Sequence, residues 1–235
     1  MEISKNAKIT VFGDSVPKGV VSKDSKISVL EDNVVSLIAK HYNIEIKNQS
    51  VYGQTLKRIC EKGLIDNYLS QIKRRDKNIV ILSIGGNDAD FNWEVVDKTP
   101  EQNHQSKTTV EDFILLLSET ISKLNKKKVK VVLTSIPPVN AQRYFEEVIS
   151  KRANKDNILK FFNNDISNIY RYQEAMNMAI TKCASKHNCK LIDFRTNFLM
   201  QRDYSDLLCE DGVHPNQEGH KFMAKIIIDQ IDNWK

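Results

Sequence analysis

Five short apolar runs, rich in β-branched residues, punctuate the chain: residues 8–12, 44–47, 79–84, 129–134 and 190–194. The third and fourth have almost no polar interruption, the pattern of strands buried on both faces. Between the runs, apolar residues recur at helical spacing. Leu30, Val34, Leu37, Ile38 and His41 form one such stripe, and Ser28 with Glu31 predicts a capping-box start for it. Val110, Phe113, Ile114, Leu117, Ile121 and Leu124 form a second, behind Thr108 and Glu111. Met223, Ile227, Ile231 and Trp234 form a third, with Asn216 as its cap. Strands alternating with helices imply a parallel sheet covered by helices on both faces. Right-handed crossovers then bring the strand C-termini to one edge, where ligands bind.

Two connections are longer than ordinary loops. One spans 89–107 and holds Phe91, Trp93 and His104; the other spans 137–164, has some helical character, and holds Tyr144, Phe145, Phe161 and Phe162. These aromatics can wall a pocket or pack as ordinary core. No repeat, linker or composition break divides the chain, so a single domain over 1–235 is expected, with insertions near 89–107 and 137–164. A chain of this length buries roughly 70–75% of its unfolded surface and needs no staple.

A content of 40% hydrophobic and 28% charged residues fits a soluble globular protein. The net charge of +5 is mild. Lys126-Lys127-Lys128 and Lys73-Arg74-Arg75 each precede an apolar strand and read as solvated turns. Without aromatics interleaved among them, no nucleic-acid partner is expected. Cys60, Cys183, Cys189 and Cys209 form no C-x-x-C pair and no zinc spacing, so free, mostly buried thiols and no metal are expected. Residues 1–6 lack the apolar core of a signal peptide, and no run approaches a membrane span. A cytoplasmic protein with no stable membrane insertion is therefore expected, unless a leader precedes this sequence.

Four short blocks carry candidate chemistry. Gly13-Asp14-Ser15 ends the first strand, where glycine allows a sharp turn and Ser15 exposes its hydroxyl and N–H. As plain structure, Asp14 and Ser15 would merely cap a turn. Asp211-Gly212-Val213-His214 sets a carboxylate three residues before an imidazole. On a turn, the carboxylate fixes one ring nitrogen and leaves the other free to take a serine proton. Asn48-Gln49-Ser50-Val51-Tyr52-Gly53 and Gly85-Gly86-Asn87-Asp88 lie between them. Gly53 can offer a close backbone N–H and Asn87 an amide, the donors an oxyanion needs; both blocks could also be simple turns. The Gly85-to-Asp88 run could suggest phosphate binding, but no phosphate-loop or dinucleotide fingerprint accompanies it. His41 and His187 sit near predicted helix ends, His220 within the last helix and His104 in a polar loop, and all four read as structural or solvated.

In order and in placement, these blocks resemble those of the SGNH hydrolases, the GDSL esterase/lipase family. Gly13-Asp14-Ser15, Gly53, Gly85-Gly86-Asn87-Asp88 and Asp211-Gly212-Val213-His214 match the family's blocks, and the resemblance runs from residue 8 to 220. One departure is Val16, where the name-giving motif has leucine. The resemblance implies a flavodoxin-like three-layer α/β/α sandwich with a five-stranded parallel sheet. It implies a serine esterase or acylhydrolase with Ser15, His214 and Asp211 as triad. The oxyanion hole would be Ser15, Gly53 and Asn87, with Asp14 and Asp88 supporting the site through bonds to nearby backbone. No cofactor is implied. The expected substrate is a small-molecule ester, with a small acyl group on a polar or sugar-like alcohol preferred. A lysophospholipase or thioesterase on the same site is the alternative, as is a non-catalytic module binding a carbohydrate or acyl ligand. A flavodoxin-like nucleotide binder would leave the Ser15/His214 pairing unexplained.

Overall fold

The computed structural model describes residues 7–73 and 76–234. Segment 1–6, and Arg74 and Arg75 of the second basic cluster, lie outside the described residues. Five strands form a parallel sheet: β1 (Ala7–Gly13), β4 (Ile46–Asn48), β5 (Lys77–Ser83), β6 (Lys130–Thr134) and β7 (Lys190–Ile192), in the order β4-β1-β5-β6-β7. β2 (Val20–Lys23) and β3 (Lys26–Val29) pair antiparallel as a separate ribbon. In β1, the last five residues are all buried, as expected of a strand covered on both faces.

Helices cover both faces. On one side, α3 (Leu56–Glu61), α4 (Leu64–Gln71), α6 (Val110–Lys126) and α9 (Asn168–Lys186) pack Phe113, Leu117, Ile121 and Met176 against Phe12, Leu82 and Leu133. On the other, α2 (Val34–Tyr42), α10 (Phe194–Leu199) and α11 (Gln217–Asp232) pack Ile38, Phe198 and Met223 against Ile9, Ile79 and Val132. This is the three-layer sandwich with the five-stranded flavodoxin-like order. The order reverses between β1 and β5, so a crevice opens there beyond the strand ends.

Four local readings are corrected. The capping box at Ser28 and Glu31 does not form: Ser28 pairs with Val21 inside the ribbon, and Leu30 lies outside α2. The helix starts at Val34, where the Asn33 side chain accepts the Val35 and Ser36 N–H groups. The ribbon turns at Asp24 and Ser25, both at positive φ, which suits strand twist but lacks the glycine that announces such a turn. The second helix is capped by Thr109 rather than Thr108, because the Thr108 hydroxyl donates to Asp88 instead. The last strand ends at Ile192, since Asp193 caps α10 by accepting the Thr196 N–H. The second sheet strand begins at Ile46, two residues later than its apolar run, because the Ile44 N–H closes the end of α2 on Ala39.

Both long connections carry helix: α5 (Trp93–Lys98) in the first; α7 (Ala141–Tyr144), a π turn at Phe145–Ile149 and α8 (Lys155–Phe161) in the second. They share a third apolar cluster built on Phe91, Trp93, Phe145, Ile158 and Phe162. Lys126, Lys127 and Lys128 are exposed, and the four cysteines are free thiols, with Cys183 and Cys209 buried. Among the described residues, no helix is long and apolar enough to cross a membrane.

Candidate active site

Ser15 opens α1 (Ser15–Lys18) directly behind β1. Asp14 caps that turn by accepting the Val16 N–H at 2.9 Å, which leaves the Ser15 N–H unspent among the described residues. The turn is held from the neighbouring loop, where Asn48 donates its amide to the Pro17 carbonyl at 2.8 Å.

His214 arrives from the loop before α11. Its Nε2 lies 2.9 Å from Ser15 Oγ, and its Nδ1 lies 2.6 Å from Asp211 Oδ2. The other Asp211 oxygen accepts the N–H groups of Val213 and His214, so the carboxylate is fixed by the turn it orients. Burial alone would raise the Asp211 pKa. The His214 bond, the imidazole charge and the two N–H groups outweigh it and hold the carboxyl below its usual range. An ionised carboxylate only accepts, so Nδ1 carries the ring proton and Nε2 faces the serine as acceptor. Ser15, Asp211 and His214 are all buried, and the Tyr52 ring stacks over the imidazole at 6.1 Å.

Gly53 and Asn87 line the same cavity of about 470 Å³ as Ser15 and His214. The Gly53 N–H has no partner among the described residues. Asp88, fully buried beneath Asn87, accepts Leu56 N–H and the Thr108 hydroxyl. Burial pushes the carboxyls of Asp14 and Asp88 up to about 6. Asp14, Ser15, Gly53, Asn87, Asp211 and His214, read as one site in the sequence, therefore line one cavity, while Asp88 lies buried outside its lining.

The long connections divide. Trp93 and Tyr144 line the cavity, whereas Phe145, Phe161 and Phe162 pack in the cluster behind it. Several cavity residues carried no sequence signal. The ribbon brings Ser22, Ser25 and Ile27 to the rim, where the Asp24 N–H donates to Glu210 beside the triad carboxylate. Tyr144 donates its hydroxyl to Asp90, which also pairs with Lys107 at 2.7 Å. Gln173 reaches the cavity from α9. Asp90, two residues beyond Asp88, and Glu210, directly before Asp211, stand close enough to a motif to be suspected. Among the described residues, no three His, Cys, Asp or Glu side chains gather as a metal site. His220 is buried with Nδ1 accepting the Val34 N–H, a structural role.

A parallel α/β sandwich with a serine, an imidazole and a carboxylate aligned at its switch point defines a class of ester hydrolases. The chain belongs to the GDSL-like lipase/acylhydrolase family, hydrolases of ester bonds, whose family model it matches over residues 9–227. No curated protein matches it. Solved structures with this fold include a lipase/acylhydrolase from Enterococcus faecalis, at 18% identity and TM-score 0.63, covering 96% of this chain and 95% of that one. A lipolytic G-D-S-L family protein from Veillonella parvula is similar at 18% identity and TM-score 0.65, covering 95% and 97%. An acetyl-xylooligosaccharide esterase from Geobacillus is similar at 16% identity and TM-score 0.66, covering 98% and 96%. At these identities the likeness is one of fold.

Proposed function

We propose that this protein is a serine esterase that removes a small acyl group from a polar or sugar-like alcohol through an acyl-enzyme. The observation that carries the reading is the continuous Asp211–His214–Ser15 chain, at 2.6 and 2.9 Å, opening on the cavity.

His214 Nε2 takes the Ser15 proton as Oγ attacks the ester carbonyl. The N–H groups of Ser15 and Gly53 and the Asn87 amide receive the oxyanion. When the tetrahedral intermediate collapses, the C–O bond to the alcohol breaks and His214 returns the proton to the leaving oxygen. Water, deprotonated by His214, then attacks the acyl carbon and releases the acid and free Ser15. Asp14 and Asp88 act as positioning residues through the backbone they hold.

The polar alcohol is supported by the cavity's lining. Ser22, Ser25, Lys107, Glu147, Lys151 and Arg152 share it with the aromatics Tyr52, Trp93, Tyr144 and Tyr172. Polar groups beside flat rings suit a hydroxylated alcohol better than a long alkyl chain. Two structural neighbours described as acetyl-xylooligosaccharide and acetyl xylan esterases act on substrates of that type.

The test is hydrolysis of p-nitrophenyl esters from acetate to decanoate, and of acetylated sugars, with Ser15→Ala alongside. Activity highest on acetate and acetylated sugars, and absent from the variant, is expected. A preference for long acyl chains would favour a lysophospholipase or thioesterase. No difference from Ser15→Ala on any ester would remove the catalytic reading in favour of a binding module.

A further inference from the structure

Gln173 lies on the cavity wall, on α9, well away from the four sequence blocks. It is only 7% exposed, so its amide must find partners or remain costly. Its carbonyl oxygen has one: Arg195 Nη1 donates to Gln173 Oε1 at 2.9 Å. Arg195 is itself immobilised. It is 3% exposed, donates from the same nitrogen to the Ile136 carbonyl, pairs with Glu174 and stacks on Tyr170 at 4.7 Å.

This arrangement settles which way the amide points. A guanidinium has donors only, so Oε1 must face it and the NH₂ must face away. The NH₂ has no partner among the described residues, and it is not among the sealed polar atoms that lack one. It therefore opens onto space, and the space that Gln173 lines is the substrate cavity. Its neighbours there include the apolar Ile136 and Ile169, which offer a ligand no hydrogen bond.

We infer that Gln173, with its amide oriented by Arg195, is a specificity residue that donates a hydrogen bond to an acceptor oxygen on the substrate, beyond the reacting carbonyl. A buried donor otherwise left unpaired rejects ligands that lack the acceptor. The inference rests on the esterase reading and narrows it: the group bound beside Ile136 carries an ether, hydroxyl or carbonyl oxygen. That oxygen can belong to either half of the ester.

The test uses two pairs of esters matched in chain length, with oxygen replacing methylene. The acyl pair is p-nitrophenyl heptanoate and p-nitrophenyl methoxyethoxyacetate; the alcohol pair is heptyl acetate and methoxyethoxyethyl acetate. Each is measured with wild type, Gln173→Leu, Gln173→Glu and Ser15→Ala. Gln173→Glu keeps an acceptor for Arg195 but loses the donor. In one pair, the ratio of kcat/KM for the oxygen-bearing ester over its all-carbon partner should fall about fivefold in both Gln173 variants. The responding pair identifies which half of the ester lies there. A merely structural role would lower all esters alike and leave the ratios unchanged. Ratios within about twofold of wild type in both pairs, with Ser15-dependent hydrolysis intact, would overturn the inference alone. Folded wild type that hydrolyses none of the four would overturn it together with the esterase reading.

Discussion

Asp88 accepts the backbone N–H of Leu56 with both carboxylate oxygens at 3.0 Å. One residue belongs to the turn that presents Asn87; the other opens α3, just behind Gly53. A single buried carboxylate thus sets the spacing of two proposed oxyanion donors, with the Thr108 hydroxyl as its second partner at 2.7 Å. Asp88→Ala orphans both donors, at about 1–3 kcal/mol each. It should lower Tm and cut kcat together. Asp88→Asn, which retains an acceptor oxygen, should do less of both. Thermal unfolding and ester hydrolysis on the two variants check this; unchanged kcat in Asp88→Ala would detach Asp88 from the site.

The roles assigned to Asn87 and Asp211 predict different kinetic losses. An oxyanion donor acts only in the transition state, so Asn87→Ala should cost about 10²–10³ in kcat with little change in KM. Asp211 fixes the imidazole tautomer, and Asp211→Asn should cost about 10⁴ in kcat by analogy with other triads. A large KM effect with kcat preserved in Asn87→Ala would make it a substrate-binding residue instead.

Asp14 predicts an unusual pH dependence of stability. Burial raises its folded pKa to about 6, above the unfolded value of about 3.9. Between these values the folded state binds more protons, so this group's contribution to stability falls as pH rises and levels off above 6. Asp14→Asn can still accept the Val16 N–H but carries no charge to desolvate. Its stability relative to wild type should therefore improve from pH 4 to pH 7, by at most about 3 kcal/mol. Urea unfolding at several pH values measures this directly, and a difference that stays flat or reverses would refute it.

Much of this site was legible because catalysis needs particular residues at strand ends, and strands buried on both faces announce themselves. β5 and β6 are built on β-branched apolar runs with little polar interruption, and Ser15 and Asn87 stand just beyond β1 and β5. The ribbon was not legible: Asp24 and Ser25 adopt positive φ without glycine, and Ser28 beside Glu31 imitates a helix start. Thr108 looked like a cap because only the tertiary structure shows Asp88 within its reach. Gln173 gave no signal at all, since an α9 residue 158 positions from Ser15 joins the cavity through folding alone.

Gly212 and Gly53 share a left-handed backbone, at φ +69° and +68°, yet their surroundings differ. A Cβ at Gly212 would meet the Asn140 carbonyl at 2.6 Å, whereas one at Gly53 would meet nothing within 4 Å. Gly53→Ala should therefore cost only the conformational term, roughly 1–2 kcal/mol. Gly212→Ala adds a clash with backbone and breaks the Asn140 N–H bond to the Gly212 carbonyl, moving the turn that carries His214. It should be the less stable variant and lose more kcat. Melting curves of the two proteins, taken with their rates, settle the order.

His220 tests whether the layer behind the triad stays neutral as the solution is acidified. Burial, with a smaller effect from His214, lowers its pKa to about 4. Its Nδ1 must remain unprotonated to accept the Val34 N–H, which no other group caps among the described residues. The unfolded chain takes up this proton near pH 6.5. His220 therefore contributes stability that is complete above about 6.5 and is lost progressively as pH falls towards 4, opposite in sign to Asp14 across the same window. NMR titration should show the His220 ring unchanged from pH 7 to pH 5, with the Val34 amide protected from exchange throughout. A ring that titrates near 6.5 in the folded protein would mean that this histidine is solvated and that the Val34 N–H is bonded elsewhere.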